Sequence, residues 1–140
     1  FDLSELLQTI IDDYRDQQLV VDFRGPPHLV YHGRPLALKR VVVNLLENAA
    51  KYARHPSIAL SVDDQRVRIE VSDEGPGIPE ADLERVFDPF FRLETSRNRN
   101  TGGVGLGLSA ARAIVREQGG ELSLSNRRGS GLAARVELPR

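Results

Sequence analysis

The chain has 140 residues, 40% hydrophobic and 28% charged, the proportions expected of one globular domain built round a single core. Nineteen Lys and Arg against 20 Asp and Glu leave a formal net charge of −1, which excludes a general basic field for nucleic acid or an anionic membrane, so any anion site must be local. The absence of cysteine excludes a disulfide scaffold, a thiolate zinc site and a cysteine nucleophile, and the longest apolar runs are too short to span a bilayer.

Leu3, Leu6, Leu7, Ile10, Ile11 and Tyr14 recur at helical spacing, and Asp2 with Glu5 forms a capping-box pattern, so a first helix is expected there. Gln18 to Phe23 reads as a short strand, broken by Gly25-Pro26-Pro27. Pro35 suits the first turn of a second helix, whose stripe is Leu38, Val42, Leu45, Leu46, Ala49 and Ala53. Ile58, Leu60 and Val62, then Val67, Ile69 and Val71, alternate on either side of Asp63-Asp64-Gln65, the pattern of an antiparallel hairpin. A short helix is expected from Pro79 to Phe87, then a polar loop from Glu94 to Gly103. A last helix from Leu106 to Gln118 ends at Gly119-Gly120, and Leu122 with Leu124, then Leu132, Ala134, Val136 and Leu138, predict a final strand pair. Helices interleaved with antiparallel strands, without repeated parallel crossovers, predict an α+β two-layer sandwich with helices on one face.

Three segments carry polar residues that the helix and strand patterns do not require. In NLLENAAKYA, Asn44, Asn48 and Lys51 project within about 60° of one another, beside the apolar stripe. Asparagine is a mediocre helix former, but its carbonyl oxygen suits an octahedral Mg²⁺ that also takes phosphate and water, and lysine one turn on is a point charge for phosphate. The plainer alternative is that these residues solvate the helix. Counting by twos from Val67 places Asp73 in the inward phase, directly before Glu74-Gly75-Pro76-Gly77-Ile78. A buried carboxylate needs a donor, and the exocyclic amine of adenine is one; otherwise Asp73 caps its own turn. Gly102-Gly103-Val104-Gly105-Leu106-Gly107-Leu108 precedes a helix and can expose backbone N–H groups to a polyphosphate, although it is neither a P-loop nor a dinucleotide fingerprint. Arg92 is the one arginine of the preceding stretch read as a phosphate contact. Phe87, Phe90 and Phe91 read as core or loop-anchoring aromatics, and His28, His32 and His55 as surface residues.

Taken in order, these segments resemble the catalytic, ATP-binding domain of bacterial sensor histidine kinases, a branch of the Bergerat-fold ATPases that includes gyrase, Hsp90 and MutL. NLLENAAKYA resembles the family's N box, DEGPGI its first glycine box, VFDPFFR its F box and GGVGLGLS its second glycine box, in register over essentially the whole chain. The resemblance implies a mixed, mostly antiparallel sheet covered on one face by helices, a single domain over 1–140 and a flexible ATP lid at about 91–104. It implies Asn48 as Mg²⁺ ligand with Asn44 beside it, Lys51 reaching the phosphates and Tyr52 near the base. Asp73 would accept from the adenine amine, in a pocket shaped by Gly75, Gly77 and Ile78. Gly103, Gly105, Leu106, Gly107 and Leu108 would meet the phosphates, and Arg92 the γ-phosphate.

The activity so implied is transfer of the γ-phosphate of Mg-ATP to a histidine on a separate dimerisation and phosphoacceptor domain, with a response regulator downstream. The expected setting is a cytoplasmic domain of an inner-membrane sensor kinase, monomeric when isolated, touching neither nucleic acid nor membrane. The alternatives are a nucleotide-binding regulatory module without transfer and an anti-sigma-type serine kinase. The chain departs from the pattern in two ways: no histidine sits in a phosphoacceptor context, and Val104 stands where the family commonly has Thr or Ser, with a modest expected effect on affinity. Hydrolysing relatives place a glutamate where Asn44 stands, and an amide cannot take a proton from water, so efficient hydrolysis is not expected. Phe1 opens a chain that contains no methionine, and FDLSELL resembles the junction after dimerising helices, so the sequence is expected to be a piece of a longer protein.

Overall fold

A computed structural model describes residues 1–52, 55–89 and 107–140, with the backbone alone for 50–52. Helix α1, Leu3–Asp16, begins where Asp2 Oδ1 accepts from the Glu5 N–H at 3.2 Å, the side-chain arm of the expected cap. It buries Leu3, Leu7, Ile10, Ile11 and Tyr14. The expected strand from Gln18 is displaced: strand β1 covers only Asp22–Arg24. Gln18 adopts φ 67° and its N–H donates to Arg15 C=O, while the Leu19 N–H donates to Tyr14 C=O at 2.9 Å. These two bonds form a Schellman closure of α1, which takes the residues that alternation alone assigned to a strand.

Helix α2, Pro35–Tyr52, starts at the proline, whose missing N–H removes a donor that a helix start leaves unpaired. Its stripe is Leu38, Val42, Leu45, Leu46 and Ala49, all buried, with Val41 added to it; Ala53 lies outside the described residues. Strands β2, Ser57–Val62, and β3, Arg66–Ser72, form the expected hairpin, and Asp63 Oδ1 accepts from the N–H groups of Gln65 and Arg66 across its turn. Those two bonds hold the Asp63 carboxyl below its ordinary pKa.

The helix expected over Pro79 to Phe87 is instead two short 3₁₀ segments, Glu80–Asp82 and Arg85–Phe87. Neither start has a side-chain cap, and Pro89 favours extended backbone at Asp88, found at φ −67° and ψ 134°, so an α-helix has no room to propagate. Helix α3, Gly107–Glu117, and strands β4, Glu121–Asn126, and β5, Leu132–Pro139, complete the fold.

The five strands run in the order β1-β2-β3-β5-β4, with β1 parallel to β2 and every other pair antiparallel. This is the mixed, mostly antiparallel sheet with helices on one face. Ile58, Leu60, Val67, Ile69, Val71, Leu122, Ala134, Val136 and Leu138 point into one core with the helices. The opposite phase is polar: Arg68 lies opposite Glu137 and Glu70 opposite Arg135, and both pairs are hydrogen-bonded. Such exposed pairs contribute little stability but give the uncovered face a solvated surface. Among the described residues no helix is long and apolar enough to cross a membrane.

Candidate functional site

Asp73 follows β3 and is only 5% exposed, as its phase in the strand predicts. Its Oδ1 accepts from the Gly75 N–H at 2.9 Å and from the Leu132 N–H at 3.2 Å. The turn-cap reading of this residue is the one the structure shows: Oδ1 caps the turn, and among the described residues Oδ2 has no hydrogen-bond partner. A carboxylate oxygen left over in this way, on a residue buried overall, can accept from an incoming donor.

Gly77 turns the chain at φ 73°, and Ile78 packs partly buried against the core. Helix α2 packs against α3 and brings the half-buried Asn44 to the start of that helix. The Asn44 Nδ2 donates to Gly107 C=O at 3.3 Å, which orients the amide, and among the described residues no bond to Oδ1 is seen, leaving it as the acceptor side. Asn48, one turn on, is half-buried as well. Oxygen donors of this kind fit a hard divalent cation rather than a soft metal. Leu108 packs partly buried behind exposed Gly107.

Thus Asn44, Asn48 and Gly107 are gathered where α2 meets α3, while Asp73, Gly75, Gly77 and Ile78 form one loop beyond β3. The Lys51 and Tyr52 side chains, and Arg92, Gly103, Gly105 and Leu106 with the expected lid, lie outside the described residues.

Sequence reasoning missed several residues that shape these surroundings. Asn126 bonds the Ile78 backbone twice, Ser130 bonds Gly75 and Arg127 bonds Asp73. A signal for Asn126 existed: Leu122 and Leu124 alternate inward, and Asn126 is the next inward position, a polar residue at a strand end like Asp73. Arg112 was missed too. Its guanidinium carbon lies 3.9 Å from the centroid of the buried Phe87 ring, and Nη1 pairs with Glu84, so α3 is stapled to the second 3₁₀ segment. Phe87 is a core aromatic as expected, whereas Phe90 and Phe91 lie outside the described residues.

At the opposite end of α1, His28 Nδ1 lies 2.9 Å from Asp2 Oδ2, a carboxylate contact that spacing did not reveal because 26 residues separate the two. Asp2, Glu5 and His28 are close enough to invite a metal reading, but Asp2 Oδ1 is already taken by the N–H groups of Glu5 and Leu29. The cluster is a helix cap. The Leu29 N–H, then the His28 ring, lower the Asp2 carboxyl to a pKa of about 2.

Residues 33–140 match the family model for histidine kinase-, DNA gyrase B- and HSP90-like ATPases. The chain is 44% identical over 139 residues to the sensor histidine kinase GtrS of Pseudomonas aeruginosa, covering 99% of the chain and 28% of GtrS. It therefore spans less than a third of that relative. Among solved structures it superposes on the mycobacterial sensor histidine kinase MprB with a TM-score of 0.81 at 27% identity, covering 99% of this chain and 95% of that one. The catalytic domain of histidine kinase ThkA gives a TM-score of 0.81 at 29% identity, again over 99% and 95% of the two chains.

Proposed function

The chain belongs to the histidine kinase-, DNA gyrase B- and HSP90-like ATPases, with the Bergerat fold of sensor histidine kinase catalytic domains, and from that membership we propose that it binds Mg-ATP for protein-histidine phosphorylation. In this reading residues 1–140 act as one catalytic domain, and the γ-phosphate passes to a histidine on a separate dimerisation and phosphoacceptor domain. A response regulator follows, and the domain works on the cytoplasmic side of a sensor kinase.

The observation that carries this reading is Asp73, buried, with Oδ1 held by the Gly75 and Leu132 N–H groups and Oδ2 left to accept from an adenine amine. Gly75, Gly77 and Ile78 line that contact, and the base-proximal role goes to Tyr52. Asn48 and Asn44 present carbonyl oxygens to Mg²⁺, which when bound neutralises phosphate charge and orders the triphosphate. Lys51 and Arg92 add positive charge at the γ-phosphate, while Gly103, Gly105, Leu106, Gly107 and Leu108 bring backbone N–H groups to the phosphates. Asn44 cannot serve as a general base for water: its Nδ2 is a donor held by Gly107, and its Oδ1 has negligible basicity. The chain's own residues thus position and neutralise, and the nucleophile comes from the partner imidazole.

The test is titration of the chain with ATP, with and without Mg²⁺, followed by incubation of the loaded chain with the dimerisation helices of its own kinase. Binding followed by an acid-labile, base-stable phosphate on those helices is expected. Binding without transfer would favour a regulatory nucleotide module, and phosphate on serine the anti-sigma-type kinase. Asn48→Ala should abolish Mg-ATP binding or transfer, with the loss confined to the Mg²⁺-dependent part. An unchanged variant would remove the metal role.

A further inference from the structure

The turn between β4 and β5, residues 126–132, lies outside the four motifs, yet it contacts the loop from Asp73 to Ile78 repeatedly. The Ile78 N–H donates to Asn126 Oδ1 at 2.9 Å, and Asn126 Nδ2 donates to Ile78 C=O at 2.7 Å. The Ser130 hydroxyl donates to Gly75 C=O at 2.6 Å, and Arg127 Nη1 to Asp73 C=O at 2.7 Å. The approach is tight at two glycines. A Cβ on Gly131, at φ 107°, would stand 2.0 Å from the Asp73 carbonyl oxygen, and one on Gly77 would stand 2.5 Å from Asn126 Oδ1.

We propose that Asn126, assisted by Ser130, is a positioning residue that sets base specificity by holding the Asp73–Ile78 loop in register with the base. The proposal rests on the adenine role of Asp73 given above. Adenine and guanine differ at the ring edge by an amine donor against a carbonyl acceptor, so a carboxylate discriminates between them only if it is held within hydrogen-bond range. Beyond Ser72 the loop has left the sheet, and a primary amide has the donor and acceptor needed to stand in for a neighbouring strand at Ile78. Asn126 makes both bonds. Its place at the end of β4, fixed by pairing with Leu132, ties the loop to the rigid sheet rather than to another loop.

The experiment measures dissociation constants for ATP and GTP on the unaltered chain, Asn126→Ala and Ser130→Ala, together with hydrogen exchange at the Ile78 amide. Asn126→Ala should lower the preference for ATP over GTP about tenfold or more, while the ratio of affinities with and without Mg²⁺ stays the same. Ser130→Ala should shift the preference in the same direction by a smaller factor, and because it removes one hydroxyl it serves should Asn126→Ala fail to fold. Faster exchange at Ile78, with Ile69 still protected, should accompany the change. A parallel loss of ATP and GTP affinity with the preference intact would mean that Asn126 is only structural and would overturn the proposal. Failure of the unaltered chain to bind ATP would overturn the functional reading and this one together. ATP binding with an unchanged preference in both variants would overturn this one alone.

Discussion

Replacing Asp73 by asparagine separates the two jobs of its carboxylate. In Asp73→Asn the side-chain carbonyl can keep the position of Oδ1 and still accept from the Gly75 and Leu132 N–H groups. The other oxygen becomes an NH₂, a donor where, on the proposed function, the adenine amine also donates. Loss of a charge-assisted hydrogen bond costs about 1.5–3 kcal/mol, which corresponds to roughly 10- to 150-fold in affinity. Stability should move far less, because the amide oxygen keeps both backbone bonds. A net change within about 1 kcal/mol shifts the melting temperature by only about 2–4 °C at this size. Calorimetric titration with adenosine, ADP and Mg-ATP, beside a thermal melt, reads both quantities. The affinity loss should be equal for all three ligands, since the amine is common to them. Asp73→Asn binding ATP within about twofold of the unaltered chain would refute the reasoning. So would a collapse in melting temperature that tracks the affinity loss, because the carboxylate would then be no more than a turn cap.

Tyr14→Phe removes the hydroxyl that donates to Glu47 Oε1 at 2.7 Å and should cost about 1 kcal/mol, read as a lower urea midpoint with unchanged slope. Burial and then the Glu47 carboxylate raise the Tyr14 pKa, so the hydroxyl should stay protonated in an ultraviolet titration where ordinary tyrosines ionise. Arg112→Ala should cost about 1–2 kcal/mol, chiefly through the lost stack on Phe87, and Arg112→Lys should recover only part because an ammonium cannot stack flat. Glu84→Gln should change little, since the Glu84 side chain is 80% exposed and its ion pair is screened. Asp2 has a folded pKa of about 2, below its ordinary 3.8, so its stabilisation is present above pH 4 and fades as pH falls toward 2. Melting temperatures recorded from pH 5 to pH 2 should fall more steeply for the unaltered chain than for Asp2→Asn, and parallel curves would count against the cap.

Periodicity located what it physically encodes, namely one buried face per element. The stripe of α2, the alternation in β2 to β5 and the inward phase of Asp73 all emerged because burial repeats with the backbone period. Gln18 misled because a helix closure depends on a single left-handed residue and two backbone bonds, which leave no apolar pattern. The 79–87 segment misled for a related reason: a composition that suits a helix says nothing of whether caps are present to start one. His28 and Asp2, or Arg112 and Glu84, are joined by tertiary closure, and no local spacing marks a pair 26 or 28 residues apart. The candidate site was legible as residue types in order, because glycine, asparagine and aspartate stand out against an apolar pattern. Its supporting residues were not, because they act through the backbone of their neighbours.

That asymmetry follows from how the loop after β3 is built. Inside the sheet each N–H and C=O is satisfied by the adjacent strand, so side chains are free to pack and any residue with the right volume serves. At Asp73 the chain steps away from β5, its last ladder-like bond being the Asp73 N–H to Leu132 C=O at 3.0 Å. The backbone groups beyond it need partners from side chains, and the turn after β4 supplies them at Asp73, Gly75 and Ile78. The same bonds that prevent unsatisfied polar groups therefore set where Oδ2 of Asp73 can stand. A change in the turn that left the fold intact would still move the acceptor, and hydrogen-bond selectivity is lost well before stability is, since range and angle tighten over tenths of an ångström while burial does not. On the proposed function, base selectivity is thus exposed to drift in residues that never touch the ligand.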